Sequence, residues 1–327
     1  MTGLSIAFLG CGRAARMHSR TLARVAPDVR RLYASRDIGR ARSLAAEFGG
    51  EGAYGSYADA IGDDRVGAVL IATPPTSHLE LALAAFTAGR HVIVEKPAFL
   101  DTAEFDRAWA ASREAGRWLL VAENYFYKPV LDRLRAIMTS GSLGRVLFVH
   151  LNALKHQATS GWRNDPHVAG GGALFEGGVH WISFAGNLGL ELANVRGFLP
   201  HGREAAGGEA PLDRSMIIAL EYAEGAVGML SYSWEAHSPL KGVRISRIYG
   251  TDGAVAFESN GAFLLQTGRR TRFALVPGGP RDAAGYAPMF RDFVQTLYTD
   301  APPRFTPELA RRDLERVQQS YATAAST

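Results

Sequence analysis

The apolar run Leu4-Ser5-Ile6-Ala7-Phe8-Leu9 ends in Gly10-Cys11-Gly12-Arg13-Ala14-Ala15, and this junction constrains the fold more than any other stretch. A short apolar run closed by glycine reads as a buried strand. Residues 13–26 then take helical spacing, with Ala14, Met17, Leu22 and Val25 on or near one face. Strand, G-x-G-x-x-A and helix in that order is the opening of a dinucleotide-binding βαβ unit. Gly10 permits the tight turn, Gly12 lets the backbone approach a pyrophosphate, and Ala15 lets helix and strand pack closely. The helix N-terminus favours the anion. Gly10, Gly12, Arg13 and Ala14 are therefore candidate cofactor contacts.

The alternation continues. Arg31–Ser35, Val66–Ala72, His91–Val94 and Trp118–Ala122 read as strands. Between them, Asp37 can cap a helix running to about Phe48, a second helix runs from about Ser77 to Ala88, and Asp101 or Thr102 caps a third reaching about Ala115. Such alternation predicts a doubly wound parallel sheet, assigned to a nucleotide-binding domain over residues 1–122.

After about residue 123 the texture changes. One helix is expected over Pro129–Thr139. Arg145–Lys155, Val195–Leu199, Ser215–Tyr222, Ala226–Ser233, Val243–Tyr249, Ala262–Thr267 and Arg272–Val276 read as strands between turn signals such as Thr251-Asp252-Gly253 and Gly278-Gly279-Pro280. Ala205–Ala210 reads as a mobile loop. Two helices follow, near 287–298 and 307–323. The expectation is an α+β domain with a mainly antiparallel sheet over 123–327, so the fold class is α/β overall.

Composition excludes several functions. The one cysteine, Cys11, rules out an intrachain disulfide and a cysteine-based zinc site, and no metal is expected. Of 36 basic residues only Lys96, Lys128, Lys155 and Lys241 are lysines, and no basic run forms a tail or stripe despite a net charge of +4. Nucleic-acid binding is therefore not expected. With no long apolar stretch and no basic residue ahead of Leu4–Gly10, a cytoplasmic protein is expected. Where arginine supplies nearly every positive charge, a lysine is more apt to be one that gives up a proton.

Three further motifs carry chemistry. At the end of the second strand an NAD site usually places Asp or Glu on the ribose hydroxyls, whereas this chain has Ser35-Arg36, with Arg40 one turn into the next helix. A carboxylate would repel a 2′-phosphate and this pair would bind it, so NADP is the expected cofactor, with NAD possible. Glu95-Lys96-Pro97 closes a parallel strand, the edge at which ligands bind. In Gly170-Gly171-Gly172-Ala173-Leu174-Phe175-Glu176-Gly177-Gly178-Val179-His180, a helix starting near Ala173 puts Glu176 and His180 at i and i+4 on one face. A carboxylate beside a histidine suits acid–base work. Gly177 and Gly178 cost such a helix about 0.8–1.0 kcal/mol each, so close packing should require them. Asn124, Tyr125, Tyr127, His156, Trp162, Arg163, Asp165, Trp234, His237 and Tyr286 are further residues able to line a site.

Taken together, these motifs resemble the Gfo/Idh/MocA oxidoreductase family. The resemblance rests also on Ala72-Thr73-Pro74-Pro75 with His78, on Ala122-Glu123-Asn124 and on Gly161-Trp162-Arg163, and covers essentially the whole chain. It implies a Rossmann domain followed by an α/β domain whose large open sheet often mediates dimers or tetramers. It implies hydride transfer between NAD(P) and a hydroxyl or ketone, usually of a sugar or cyclitol. Lys96 then contacts the reacting oxygen and the nicotinamide ribose, through a Lys96–Pro97 bond of strained or cis geometry. His180 matches the family's acid or base, and Arg163 a residue near the nicotinamide. Thr73, Pro74, His78, Glu95 and Asn124 join the cofactor set. Tyr125, Tyr127, His156 and Asp165 join Lys96, Glu176 and His180 around the substrate. The family usually has Asp four residues before the histidine, and often three after it, where this chain has Glu176 and Ser183.

The expected function is an NADP-preferring oxidoreductase for a sugar- or cyclitol-like alcohol/ketone pair, assembled as a homodimer or homotetramer. Rival readings are a dihydrodiol or an NDP-linked ketosugar substrate, or a homologue that binds dinucleotide and ligand without turnover. An NDP substrate needs cations for its diphosphate, with Lys155, Lys241 and Arg244 as candidates.

Overall fold

The computed structural model describes residues 3–200, 212–238, 243–268, 271–275 and 282–324. The loop expected over Ala205–Ala210, the turn at Gly278-Gly279-Pro280, Lys241 and Val276 lie outside the described residues. Two compact units emerge. The first comprises the residues up to Glu123 together with Tyr286–Arg311, and the second Asn124–Gly285 with the residues from Arg312 onward.

The first unit holds six parallel strands: β1 (Ser5–Leu9), β2 (Arg30–Ala34), β3 (Gly52–Tyr54), β4 (Ala68–Ile71), β5 (His91–Val94) and β6 (Leu119–Val121). Their order is β3-β2-β1-β4-β5-β6. This is the doubly wound dinucleotide order, whose direction reverses between β1 and β4. Helices α1 (Arg13–Val25), α2 (Ile38–Phe48), α3 (Tyr57–Gly62), α4 (His78–Thr87) and α5 (Thr102–Glu114) connect the strands. The caps follow side-chain chemistry. Asp37 accepts from the Gly39 N–H at 2.9 Å, and Asp101 from the Glu104 N–H at 2.8 Å. The segment β3–α3 was not anticipated, because Gly52-Ala53-Tyr54 is half-buried and forms no apolar run.

The inner face of α1 departs from its periodicity. Ala15, His18, Ser19 and Leu22 are the buried residues, not Ala14, Met17 and Val25. Two polar side chains go inside because partners await them: the Tyr33 hydroxyl donates to Ser19 Oγ at 3.0 Å, and His18 bonds Glu95. Helix α9 (Tyr286–Thr299) belongs to this unit although its place in the chain put it with the second domain. Tyr286 and Phe290 meet the His18 ring edge-on at 5.6 and 5.3 Å between centroids.

The second unit is built on eight strands. These are β7 (Val146–Leu154), β8 (Leu192–Phe198), β9 (Ser215–Tyr222), β10 (Val227–Ser233), β11 (Ile245–Gly250), β12 (Ala254–Glu258), β13 (Phe263–Thr267) and β14 (Arg272–Leu275). Their order is β14-β13-β12-β11-β7-β10-β9-β8, antiparallel except for the β7/β10 pair. Strand alternation puts Leu151, Ile218, Leu220 and Leu230 inside. On the other face stand Phe148, Phe198, Ile217, Val227 and Met229, each between 37% and 49% exposed. Helix α6 (Pro129–Thr139) has the predicted bounds, and α7 (Pro166–Ala169) is one short turn. A π-helical turn, Leu174–Gly178, leads into α8 (Val179–Gly186). Helix α10 (Pro307–Ala324) begins in the first unit and ends in the second. Among the described residues no helix is long and apolar enough to cross a membrane.

Candidate active site

In the first unit the predicted residues converge on the carboxyl edge of the parallel sheet. Gly10 has φ +102°, and a Cβ there would lie 2.8 Å from the Ala72 carbonyl oxygen. Glycine thus lets the loops after β1 and β4 touch at the point where strand order reverses, where such folds bind ligands. Gly12 is the N-cap of α1, and a Cβ there would meet nothing within 4 Å. The open space lies at a helix N-terminus whose first turn holds Arg13 and no acid. Ala15 is wholly buried against the sheet. This arrangement fits a dinucleotide pyrophosphate.

Ser35 follows β2, and its Oγ accepts from the Asp37 N–H at 3.2 Å. Arg36 and Arg40 are exposed. Burial raises the pKa of the Tyr57 phenol, and the nearby Arg36 charge pulls it back. Burial pushes the Cys11 thiol up to about 11, against the opposing charge of Arg40. Arg40 also lies 3.5 Å from the Asp37 carboxylate, which already serves as the cap of α2. Two arginines thus gather beside the first βα turn. Tyr57, on the unanticipated α3, joins them.

The loop after β4 carries Thr73 and Pro74, and the Ser77 hydroxyl donates to Thr73 Oγ1 at 2.7 Å. His78 is buried. Its ring nitrogens lie 2.9 Å from the Thr73 carbonyl, 3.1 Å from that of Pro97 and 3.0 Å from that of Ala98. Burial lowers its pKa, although the carbonyls favour a proton. After β5, Lys96 is half-buried and the Lys96–Pro97 bond is cis. Glu95 Oε1 bonds His18 Nε2, and Oε2 accepts the Lys96 N–H at 2.9 Å.

In the second unit the centre is His180. Its ring stacks on Tyr125 at 4.4 Å and 11°. The Lys128 ammonium sits 3.9 Å from the Tyr125 centroid. Lys128 is only 2% exposed and donates to the Ser259 carbonyl at 3.2 Å. A desolvated cation–π contact is worth about 2 kcal/mol or more. Together with a charged hydrogen bond of about 1.5–3 kcal/mol, it offsets part of the cost of burying the ammonium.

Glu176 lies on the π turn rather than on an α-helix, so the i, i+4 geometry expected from Ala173 is replaced by a wider turn. Its carboxylate accepts from Arg163 Nε at 3.0 Å, and the Arg163 guanidinium stacks over Trp162 at 4.4 Å. The glycines have packing reasons. A Cβ on Gly177 would lie 2.2 Å from the Tyr232 hydroxyl, and one on Gly178 2.6 Å from Leu174 Cδ1. Asp213 anchors the start of the turn: its carboxylate accepts from the Leu174 N–H at 2.9 Å and from the Tyr321 hydroxyl at 2.6 Å. Nothing in the local sequence marks Asp213, because it lies 39 residues from Leu174.

The remaining candidates scatter. Asn124 is buried and donates to the Ala284 carbonyl at 2.6 Å. Tyr127 is wholly buried, a core residue. Asp165 caps α7 through the His167 N–H. His156 stacks on His237 at 4.5 Å. Trp234 donates to the Tyr232 hydroxyl at 2.8 Å. Arg244 is buried, bonded to Asn260 and set 5.9 Å from the Trp181 ring.

Residues 4–123 match the model of an oxidoreductase family with an NAD-binding Rossmann fold, and residues 131–256 that of the GFO/IDH/MocA C-terminal domain. Levoglucosan dehydrogenase of Pseudarthrobacter phenanthrenivorans is 28% identical over 323 residues, covering 87% of this chain and 83% of its own. The D-xylose 1-dehydrogenase (NADP(+)) 2 of Haloferax volcanii is 27% identical, with 90% of each chain covered. The crystal structure of an oxidoreductase domain protein from Kribbella flavida superposes with a TM-score of 0.87 at 23% identity, covering 100% of this chain and 98% of that one.

Proposed function

Because the chain belongs to the Gfo/Idh/MocA family and is an NAD(P)-dependent dehydrogenase, we propose that it prefers NADP and oxidises or reduces a CH–OH/ketone pair on a sugar or cyclitol. The observation that carries the cofactor choice is the end of β2. Ser35 stands where a ribose-binding carboxylate would be, Arg36 and Arg40 lie beside the first βα turn, and Asp37 is spent on its cap. The relatives named for levoglucosan and D-xylose argue for an uncharged sugar. So does Arg244, whose burial removes one of the cations expected for a diphosphate.

When bound, a nicotinamide dinucleotide would supply the hydride-transfer chemistry of this site. Gly10, Gly12 and the first turn of α1 would hold its pyrophosphate, with Thr73 and Pro74 alongside. Lys96 places a positive charge on the reacting oxygen, the kind of preorganised stabilisation that carries much of a barrier reduction. His180 gives the proton in reduction and takes it in oxidation. Its stack on Tyr125 fixes the plane of the ring for that transfer, and Glu176, steadied by Arg163, holds a neighbouring hydroxyl. The outer face of the β7–β10 sheet, with Phe148, Ile217 and Met229, is the surface for a second copy of the chain.

The test is a fluorescence titration with NADPH and with NADH at one ionic strength, followed by turnover with levoglucosan, D-xylose and a cyclitol panel. NADPH should bind at least about tenfold tighter, a difference of about 1.4 kcal/mol. Tighter NADH binding would overturn the cofactor choice alone. Binding of neither would favour a ligand-binding homologue without turnover.

A further inference from the structure

The turn that carries Lys96 is held from inside the first unit by a residue outside every motif considered above. His18 lies on α1 with no exposed surface, one turn after the glycine-rich junction. Its Nε2 bonds Glu95 Oε1, and the other Glu95 oxygen accepts the Lys96 N–H at 2.9 Å. The Glu95 N–H itself donates to the Ile71 carbonyl at 3.0 Å. Both carboxylate oxygens and the backbone of Glu95 are thus engaged immediately before Lys96.

The His18 ring is wedged by Tyr286 and Phe290 of α9, both edge-on, and its Nδ1 is buried without a hydrogen-bond partner. Burying an imidazole with one nitrogen unsatisfied costs free energy that leucine at the same position would not. Packing alone therefore does not account for a histidine here, whereas the bond to Glu95 does. On the far side of the turn, His78 spans the carbonyls of Thr73, Pro97 and Ala98.

We infer that His18 is a positioning residue: through Glu95 it sets the backbone from which Lys96 reaches the reacting oxygen, and ties that setting to the cofactor helix. The inference rests on the role proposed above for Lys96. A displacement of about 1 Å at a reacting group can cost about 10²-fold in rate, so the effect should fall on turnover rather than on binding.

The experiment uses the full chain, with NADPH affinity, kcat and KM measured for His18→Phe, His18→Gln, Lys96→Ala and the His18→Phe/Lys96→Ala double variant. Phenylalanine fills the pocket without a donor, and glutamine restores an N–H towards Glu95. His18→Phe should lower kcat about 10- to 100-fold while KM and NADPH affinity stay within about threefold, and His18→Gln should recover most of the loss. In the Lys96→Ala chain, His18→Phe should add less than about twofold, because nothing remains to be positioned. An unchanged kcat in His18→Phe, or a loss that persists in full without Lys96, would overturn the inference. If His18→Phe does not fold, His18→Leu, which also fills the pocket without a donor, gives the same reading with the same two outcomes. Near-normal turnover of Lys96→Ala by itself would sink the proposed function, and that result does not depend on His18.

Discussion

Single residues do two separable jobs at the first βα turn. A Cβ at Gly10 would crowd the Ala72 carbonyl at 2.8 Å on a backbone with φ +102°, whereas a Cβ at Gly12 would meet nothing. Gly10→Ala should therefore lower stability by more than about 1–2 kcal/mol, the cost of a left-handed backbone for an L-residue. Gly12→Ala should keep the wild-type melting temperature and weaken NADPH binding, since its methyl enters space the protein leaves open. Thermal melting and cofactor titration of the two variants separate the roles. Equal loss of stability in both would refute the division.

His91 shows a residue-scale dependence on pH. Burial and then the Arg117 charge lower its pKa to about 4, against a smaller pull from Asp300. Its Nδ1 accepts from the Trp118 N–H at 3.0 Å, a bond that only the unprotonated nitrogen can make. The unfolded chain takes up a proton near pH 6.5 that the native state refuses until about pH 4. Stability linked to His91 is thus complete above about pH 6.5 and is lost as pH falls towards 4. Melting curves of the wild type and His91→Gln between about pH 7 and 4.5 should diverge, the wild type losing more. Parallel curves would remove His91 from the account.

Among elements, the π turn before α8 sets where Glu176 and Gly177 stand. It is wider than an α turn, carries Glu176 to Arg163, and presents Gly177 to Tyr232 on β10. Gly177→Ala should destabilise by about 1–3 kcal/mol through overpacking, and Tyr232→Phe in the same chain should recover part of it by removing the hydroxyl. Calorimetry of the single and double variants checks the coupling, and strict additivity would count against it. The glycine excess of this helix was readable as a demand for close approach. The partner, 55 residues along the chain from Gly177 to Tyr232, was not.

For the whole molecule, the open face of the second unit's sheet is the feature no local chemistry explains. Register aligns Phe148 with Val227, Met229 with Ala219 and Ile217 with Phe198, apolar pairs set among His150, Glu221, Ser231 and Arg196 on the same face. Met229→Asp should convert the proposed oligomer to monomer, as read by sedimentation or light scattering. A monomeric wild type would show that the face has another use.

Most strands and helices, the strand–glycine–helix junction, the Ser35-Arg36 step and the Glu95-Lys96-Pro97 turn were determined by the sequence itself. They depend on period, capping and turn chemistry acting over a few residues, as when Asp37 bonds Gly39 two positions away. What only the tertiary structure decided are pairings across long separations. His18 with Glu95, Asp213 with Leu174 and Tyr321, Lys128 with the Ser259 carbonyl, and α9 joined to the first unit each bring a polar group or an apolar face to a partner made elsewhere. Burial of a histidine or lysine looks unfavourable along the chain, since its cost is local and explicit. The partner that offsets this cost is present only once the fold is closed.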